Sequence, residues 1–128
     1  MPIACLTINH THASIEVRES LHVPEASVCA ALQALRDEAL IAEGVLLCTC
    51  NRTELYFRAS DPLDTGLPQR VLDELVRLAG APAPPPECVL TLQGEAAVRH
   101  LFRVASGLES RVLGENEILG QVKTAYRL

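Results

Sequence analysis

A chain of 128 residues with 48% hydrophobic side chains has the size of one domain and enough apolar material to fold without covalent staples. Its formal charge of −5, with two Tyr, two Phe and no Trp, argues against a broad phosphate-gripping surface and against a base-stacking nucleic-acid module. An odd count of five cysteines, no basic-then-apolar leader and no stretch near the ~20 apolar residues of a membrane span predict reduced thiols, no membrane association and a cytoplasmic setting.

In chain order, residues 3–8 read as a strand and residues 14–21 as a short helix. Pro24 suits a first helical turn, and Val28, Ala31, Leu32 and Leu35 recur at helical spacing to about Arg36. Gly44 is expected to close the next segment, and residues 45–48 to form a buried strand. Residues 53–59 are a further strand and residues 61–66 a loop. Val71, Leu72, Leu75, Val76 and Leu78 mark an amphipathic helix that Gly80 ends. Four prolines make residues 81–86 extended, and residues 88–92 read as the last strand. Val98, Leu101, Phe102 and Ala105 define one more helix, and Ile118, Leu119, Val122, Ala125 and Tyr126 another. The order β-α-β-β-α-β followed by two helices predicts an α+β fold, a ferredoxin-like split β-α-β-β-α-β sandwich with additional C-terminal helices.

Between the two central strands lies Thr49-Cys50-Asn51-Arg52, too polar for an ordinary core. A cysteine attacks as its thiolate, and a free thiol is only a few per cent ionised at neutral pH, so a neighbouring cation helps. In an extended chain Arg52 would share a face with Cys50, with Thr49 and Asn51 on the other. An arginine so placed could also hold a substrate carboxylate at two points. The alternative is an inert cysteine at a strand end beside a surface arginine. Cys48 completes a Cys-x-Cys pattern, but Cys5, Cys29 and Cys88 supply no second pair. No metal site is therefore predicted, and Cys48 and Cys29 read as packing residues.

On the helix carrying Val98, Leu101, Phe102 and Ala105, His100 falls nearly opposite that stripe, close to Arg103. The pattern argues against a core histidine and favours either a solvated one or a cleft histidine that handles protons near neutral pH. Ser106-Gly107, Ser110 and Gly114-Glu115-Asn116 form a polar segment between two helices, where Asn116 would serve as an N-cap. His10 and His12 follow the first strand as loop residues that could border a site. Arg99, Arg103 and Arg111 form the basic cluster to connect with RNA, against the default of a solvated helix face.

Two long stretches sharpen these readings. Residues 49–56, TCNRTELY, resemble the catalytic signature of glutamyl-tRNA reductases, and residues 95–126, EAAVRHLFRVASGLESRVLGENEILGQVKTAY, resemble the family's second signature. Residues 6–21, with Asn9-His10 and Glu16-Val17-Arg18-Glu19, are similar to its opening. The resemblance implies that Cys50 attacks the ester joining glutamate to tRNA, giving a thioester that NADPH reduces to glutamate-1-semialdehyde for tetrapyrrole biosynthesis. It implies substrate contacts by Thr49, Asn51, Arg52, Ser110, Glu115, Asn116, Glu117 and Gln121, with Arg52 on the glutamate carboxylate. His100 matches a histidine important for activity. The partners implied are glutamyl-tRNA, a second copy in a full-length homodimer, and glutamate-1-semialdehyde aminomutase.

Departures from the family pattern are Glu115-Asn116-Glu117 in place of Glu-Pro-Gln, Cys48 in place of serine, and Ala13-Ser14 in place of Ala-Pro. Family members continue into a spinal helix, a Rossmann-type NADPH domain and a helical dimerisation domain. No Gly-x-Gly-x-x-Gly follows a strand here, so those domains are expected to lie outside residues 1–128, which form the N-terminal catalytic domain. Such a chain is expected to form or hydrolyse the thioester and not to reduce it. Two rivals stand beside this reading: a non-catalytic ferredoxin-like module that senses a ligand or docks a protein, and a redox- or haem-responsive role through Cys48 and Cys50.

Overall fold

The computed structural model describes residues 3–106. Along strand β1 (Ile3–Asn9), Ala4, Leu6 and Ile8 face one side while Cys5, Thr7 and Asn9 face the other, and all six are buried. A strand buried on both faces needs cover on both sides. The elements that follow supply it: helices α1 (Ile15–Ser20) and α2 (Glu25–Asp37), strands β2 (Ile41–Cys48) and β3 (Arg52–Ala59), and helix α3 (Leu67–Ala79). A 3₁₀ turn (Pro86–Cys88), strand β4 (Leu90–Gln93) and helix α4 (Glu95–Ala105) complete the described chain. The fold is α+β. Its sheet is antiparallel throughout, in the order β2-β3-β1-β4.

The main core lies on the face covered by α2 and α3, where Leu6, Ile8, Leu46, Leu55 and Phe57 meet Val28, Leu32, Leu35, Val71 and Leu75. Helix α4 lies on the opposite face, packing Ala97 on Cys5 and Tyr56, and Val104 on Leu47. Ser14 caps α1 from the N-cap position, and Gly80 ends α3 in the left-handed region (φ 66°) that glycine adopts without strain.

Four local expectations are corrected. Gly44 does not close a segment but lies inside β2, which begins at Ile41. A Cβ at Gly44 would sit 3.1 Å from Ile41 Cδ1 and 3.2 Å from the Tyr56 carbonyl, so the close approach of neighbouring chain explains the glycine. Pro24 stands at the N-cap of α2, one position before the helix. Cys88 ends the 3₁₀ turn rather than beginning the last strand. The buried residues of α4 are Ala97 and Val104, whereas Phe102, counted in the apolar stripe, is 69% exposed. The helix expected from Ile118 onward lies outside the described residues, as do Gly107, Arg111 and Gly114.

Candidate active site

Antiparallel pairing of β2 with β3 ends at Cys48 and Thr53, and beyond it Thr49 N–H donates to the Arg52 carbonyl at 2.8 Å. Cys50 and Asn51 are therefore the tip of a β-hairpin. The tip is fastened from outside. Arg18 of α1, itself buried, donates from Nη1 to the Cys50 carbonyl at 3.1 Å and to Asn51 Oδ1 at 3.4 Å. His10 N–H donates to the Asn51 carbonyl at 3.0 Å, and Asn51 N–H donates to Thr49 Oγ1 at 3.1 Å. Both tip carbonyls are thus held while the Cys50 side chain is left exposed. A nucleophile needs this combination of a fixed backbone and an open side chain.

Since Cys50 lies in a turn, strand alternation does not carry Arg52 to its side. Arg52 belongs to β3, points to the α4 face with Glu54 and Tyr56, and is 2% exposed instead of lying open beside Cys50. Its Nη1 forms a salt bridge with Glu54 Oε2 at 3.2 Å.

Glu54 is the centre of a buried polar cluster. Its Oε2 also accepts from Thr7 Oγ1 and lies 2.6 Å from His100 Nε2, while Oε1 accepts from Tyr56 Oη at 2.8 Å. Asn9 extends the chain, donating from Nδ2 to Thr7 Oγ1 at 2.9 Å. Burial alone would raise the Glu54 carboxyl, but the hydrogen bond to His100, the Arg52 charge and the Thr7 hydroxyl together hold it below the ordinary carboxylate range. Burial and the nearby Glu54 carboxylate push the Tyr56 phenol up, so it stays a donor. The same two effects push the Cys5 thiol up, which keeps it protonated beside Tyr56.

His100 is therefore not on a solvated face. Its side chain is only 10% exposed, and its ring lies 6.4 Å from that of Tyr56 in a stacked arrangement. Apolar counting on α4 placed it opposite the buried stripe because the sheet beneath this helix is itself polar at Thr7 and Glu54. Arg99 reaches back to Glu95 on the exposed surface, and Ser110, Glu115, Asn116, Glu117 and Gln121 lie outside the described residues. Cys48 is half-buried, directs its Sγ toward Thr53 Oγ1 at 3.7 Å, and has its thiol pushed up by burial, as befits a packing residue. Among the described residues, no group of three or more His, Cys, Asp or Glu side chains could hold a metal ion, and no helix is long and apolar enough to cross a membrane.

The family described as glutamyl-tRNAGlu reductase, N-terminal domain, matches residues 6–128. The chain belongs to that family. A glutamyl-tRNA reductase of Chromohalobacter salexigens is 46% identical over the whole chain, which spans 30% of that protein. One of Exiguobacterium is 42% identical over 98% of the chain and 28% of its own length. The solved glutamyl-tRNA reductase of Methanopyrus kandleri superposes with a TM-score of 0.74 at 33% identity, covering 98% of this chain and 27% of that one. The chain thus spans less than a third of the relatives it matches.

Within this glutamyl-tRNA reductase domain, Arg18, Thr7, Glu54 and Tyr56 join the site without standing out as site residues in the sequence. The signal for the last three was present: Arg52, Glu54 and Tyr56 alternate along one strand, and Thr7 lies opposite Glu54 on the next. Ionisable residues at every second position of a strand between apolar neighbours mark a buried polar face. Nothing in the spacing ties Arg18 to Cys50, 32 residues away.

Proposed function

We propose that this chain is the glutamyl-accepting catalytic domain of a glutamyl-tRNA reductase, with Cys50 as nucleophile. The observation that carries the proposal is an exposed thiol on a hairpin tip whose two carbonyls are tied down by Arg18 and His10. The Cys50 sulfur adds to the ester carbonyl of glutamyl-tRNA, a C–S bond replaces the C–O bond to the ribose, and the thiol proton ends on the released hydroxyl. His100, held at Glu54, is proposed to handle that proton.

Thr49 and Asn51 flank the nucleophile and are proposed to contact the glutamyl group. Arg52, covered and paired with Glu54, contributes positive charge from beneath the tip rather than an open grip. Ser110, Glu115, Asn116, Glu117 and Gln121 remain proposed substrate contacts from outside the described residues. The strand order supports the finer fold reading of a ferredoxin-like split sandwich.

NADPH, the reductant that the resemblance implies, does not fit the described residues. Their antiparallel sheet has no parallel βαβ crevice, and no glycine-rich turn leads from a strand into a helix. We therefore assign the described residues no part in cofactor binding, and propose acyl capture, with thioester hydrolysis where water reaches it, as the chemistry of this domain. Single-turnover discharge of glutamyl-tRNA tests the proposal. Wild-type chain should release tRNA at a rate that Cys50→Ser abolishes; equal discharge by both would point to a binding module instead.

A further inference from the structure

The Glu54 carboxylate is fully buried, yet the apolar core on the other face of the sheet would accommodate no such group. Desolvating an anion is costly unless its lone pairs are occupied. Here they are. A carboxylate offers about four acceptor sites, and four groups approach Glu54: Thr7 Oγ1, Arg52 Nη1 and His100 Nε2 at Oε2, and Tyr56 Oη at Oε1. Two of the hydroxyl and amide orientations are fixed as well. Asn9 Oδ1 accepts from Thr11 N–H at 2.9 Å, so Asn9 Nδ2 is the donor to Thr7. The Thr7 oxygen, accepting from Asn9, turns its own hydrogen to Glu54.

An ionised carboxylate can only accept, so Glu54 admits only a donor at His100. A neutral imidazole carries one N–H, so Nε2–H toward Glu54 leaves Nδ1 as the acceptor. We infer that Glu54 is a positioning residue whose carboxylate selects the Nε2–H tautomer of His100, so that any proton the ring exchanges with substrate passes through Nδ1. This rests on the proposed capture function only in its last clause; the tautomer itself does not depend on it. Thr7, Tyr56 and Arg52 serve the same end by keeping Glu54 filled and stationary. Of the titratable and charged groups on the sheet, Glu54 and Tyr56 meet the ring directly, while Arg52 and Cys5 pack against those two; on its own helix Arg99 and Arg103 are exposed.

The experiment is a long-range proton–nitrogen correlation spectrum of the ¹⁵N-labelled chain, recorded where imidazoles are neutral. The signals of the four histidines are assigned with a His100→Gln variant. Wild-type His100 should show protonated Nε2 and bare Nδ1. Glu54→Gln, a neutral and weaker acceptor, should raise the minor tautomer and slow glutamyl capture by about tenfold or more. An Nδ1–H tautomer in the wild type overturns the inference, as does a Glu54→Gln variant with unchanged tautomer ratio and capture rate. Should Glu54→Gln fail to fold, the wild-type spectrum decides alone. An Nε2–H tautomer in a chain that captures no glutamyl group would sink the proposed function and leave the positioning role standing.

Discussion

Arg18 on the first short helix holds the main-chain carbonyl of Cys50, two segments that lie 32 residues apart. The contact is worth more than an ordinary hydrogen bond because the donor is charged and largely shielded from water. Arg18→Ala should loosen the tip and raise the barrier to acyl capture by about 1.5–3 kcal/mol, the range for hydrogen bonds to charged groups. Arg18→Lys should recover only part of it, since an ammonium cannot reproduce the fork that spans the Cys50 carbonyl, Asn51 Oδ1 and the Ser14 carbonyl. Single-turnover rates on glutamyl-tRNA check both; a wild-type rate in Arg18→Ala would show that the tip needs no external tie.

Glu54 couples the stability of the fold to pH on the acid side. Its carboxyl is held below the ordinary value of 4.5, so the unfolded chain binds that proton more tightly than the folded one. The sign follows from linkage: the contribution is fully present above the unfolded pKa and disappears as pH falls through the folded one. Urea midpoints measured from neutral pH down through the carboxylate range should fall more steeply for wild type than for Glu54→Gln. Parallel curves would show that Glu54 titrates as in the unfolded chain. Truncation is harsher: Glu54→Ala removes the acceptor from a buried ion pair and should cost about 3–5 kcal/mol in the same assay.

Gly44 probes the close approach of β2 to its surroundings. Adding a methyl group there would press on Ile41 and on the Tyr56 carbonyl, the second being backbone that cannot swing away. Gly44→Ala should destabilise the fold by about 1–3 kcal/mol, the range for overpacking. Chemical denaturation checks this, and a midpoint equal to wild type or higher would show that the strand has room.

Much of the fold was legible because the periodicities were clean. Val28, Ala31, Leu32 and Leu35 define the buried face of α2, as Val71, Leu72 and Leu75 do for α3. Errors arose where a residue's meaning depended on a distant neighbour. Gly44 reads as a break in isolation, yet it pairs with Phe57 inside β2, and the crowding by Ile41 and the Tyr56 carbonyl explains only why that strand position is a glycine. Phe102 inflated the apparent apolar stripe of α4, although the surface beneath that helix is partly polar and takes His100 instead.

The site was legible in part for a related reason. Cys50 stands out by its polar surroundings, and the two long signatures resemble those of the family to which the chain belongs. Its relation to Arg52 is not legible from spacing, because two-residue alternation does not hold through a turn. Arg18 was invisible as a tie because tertiary hydrogen bonds leave no trace in local spacing.

Intact-protein and peptide mass spectrometry after exposure to glutamyl-tRNA tests the account most directly. One glutamyl group should appear on the chain, map to the Cys50 peptide, be released by a thioester-cleaving amine and be absent from Cys50→Ser. A chain that stays unmodified while its fold is intact, or an adduct that persists in Cys50→Ser, would contradict it.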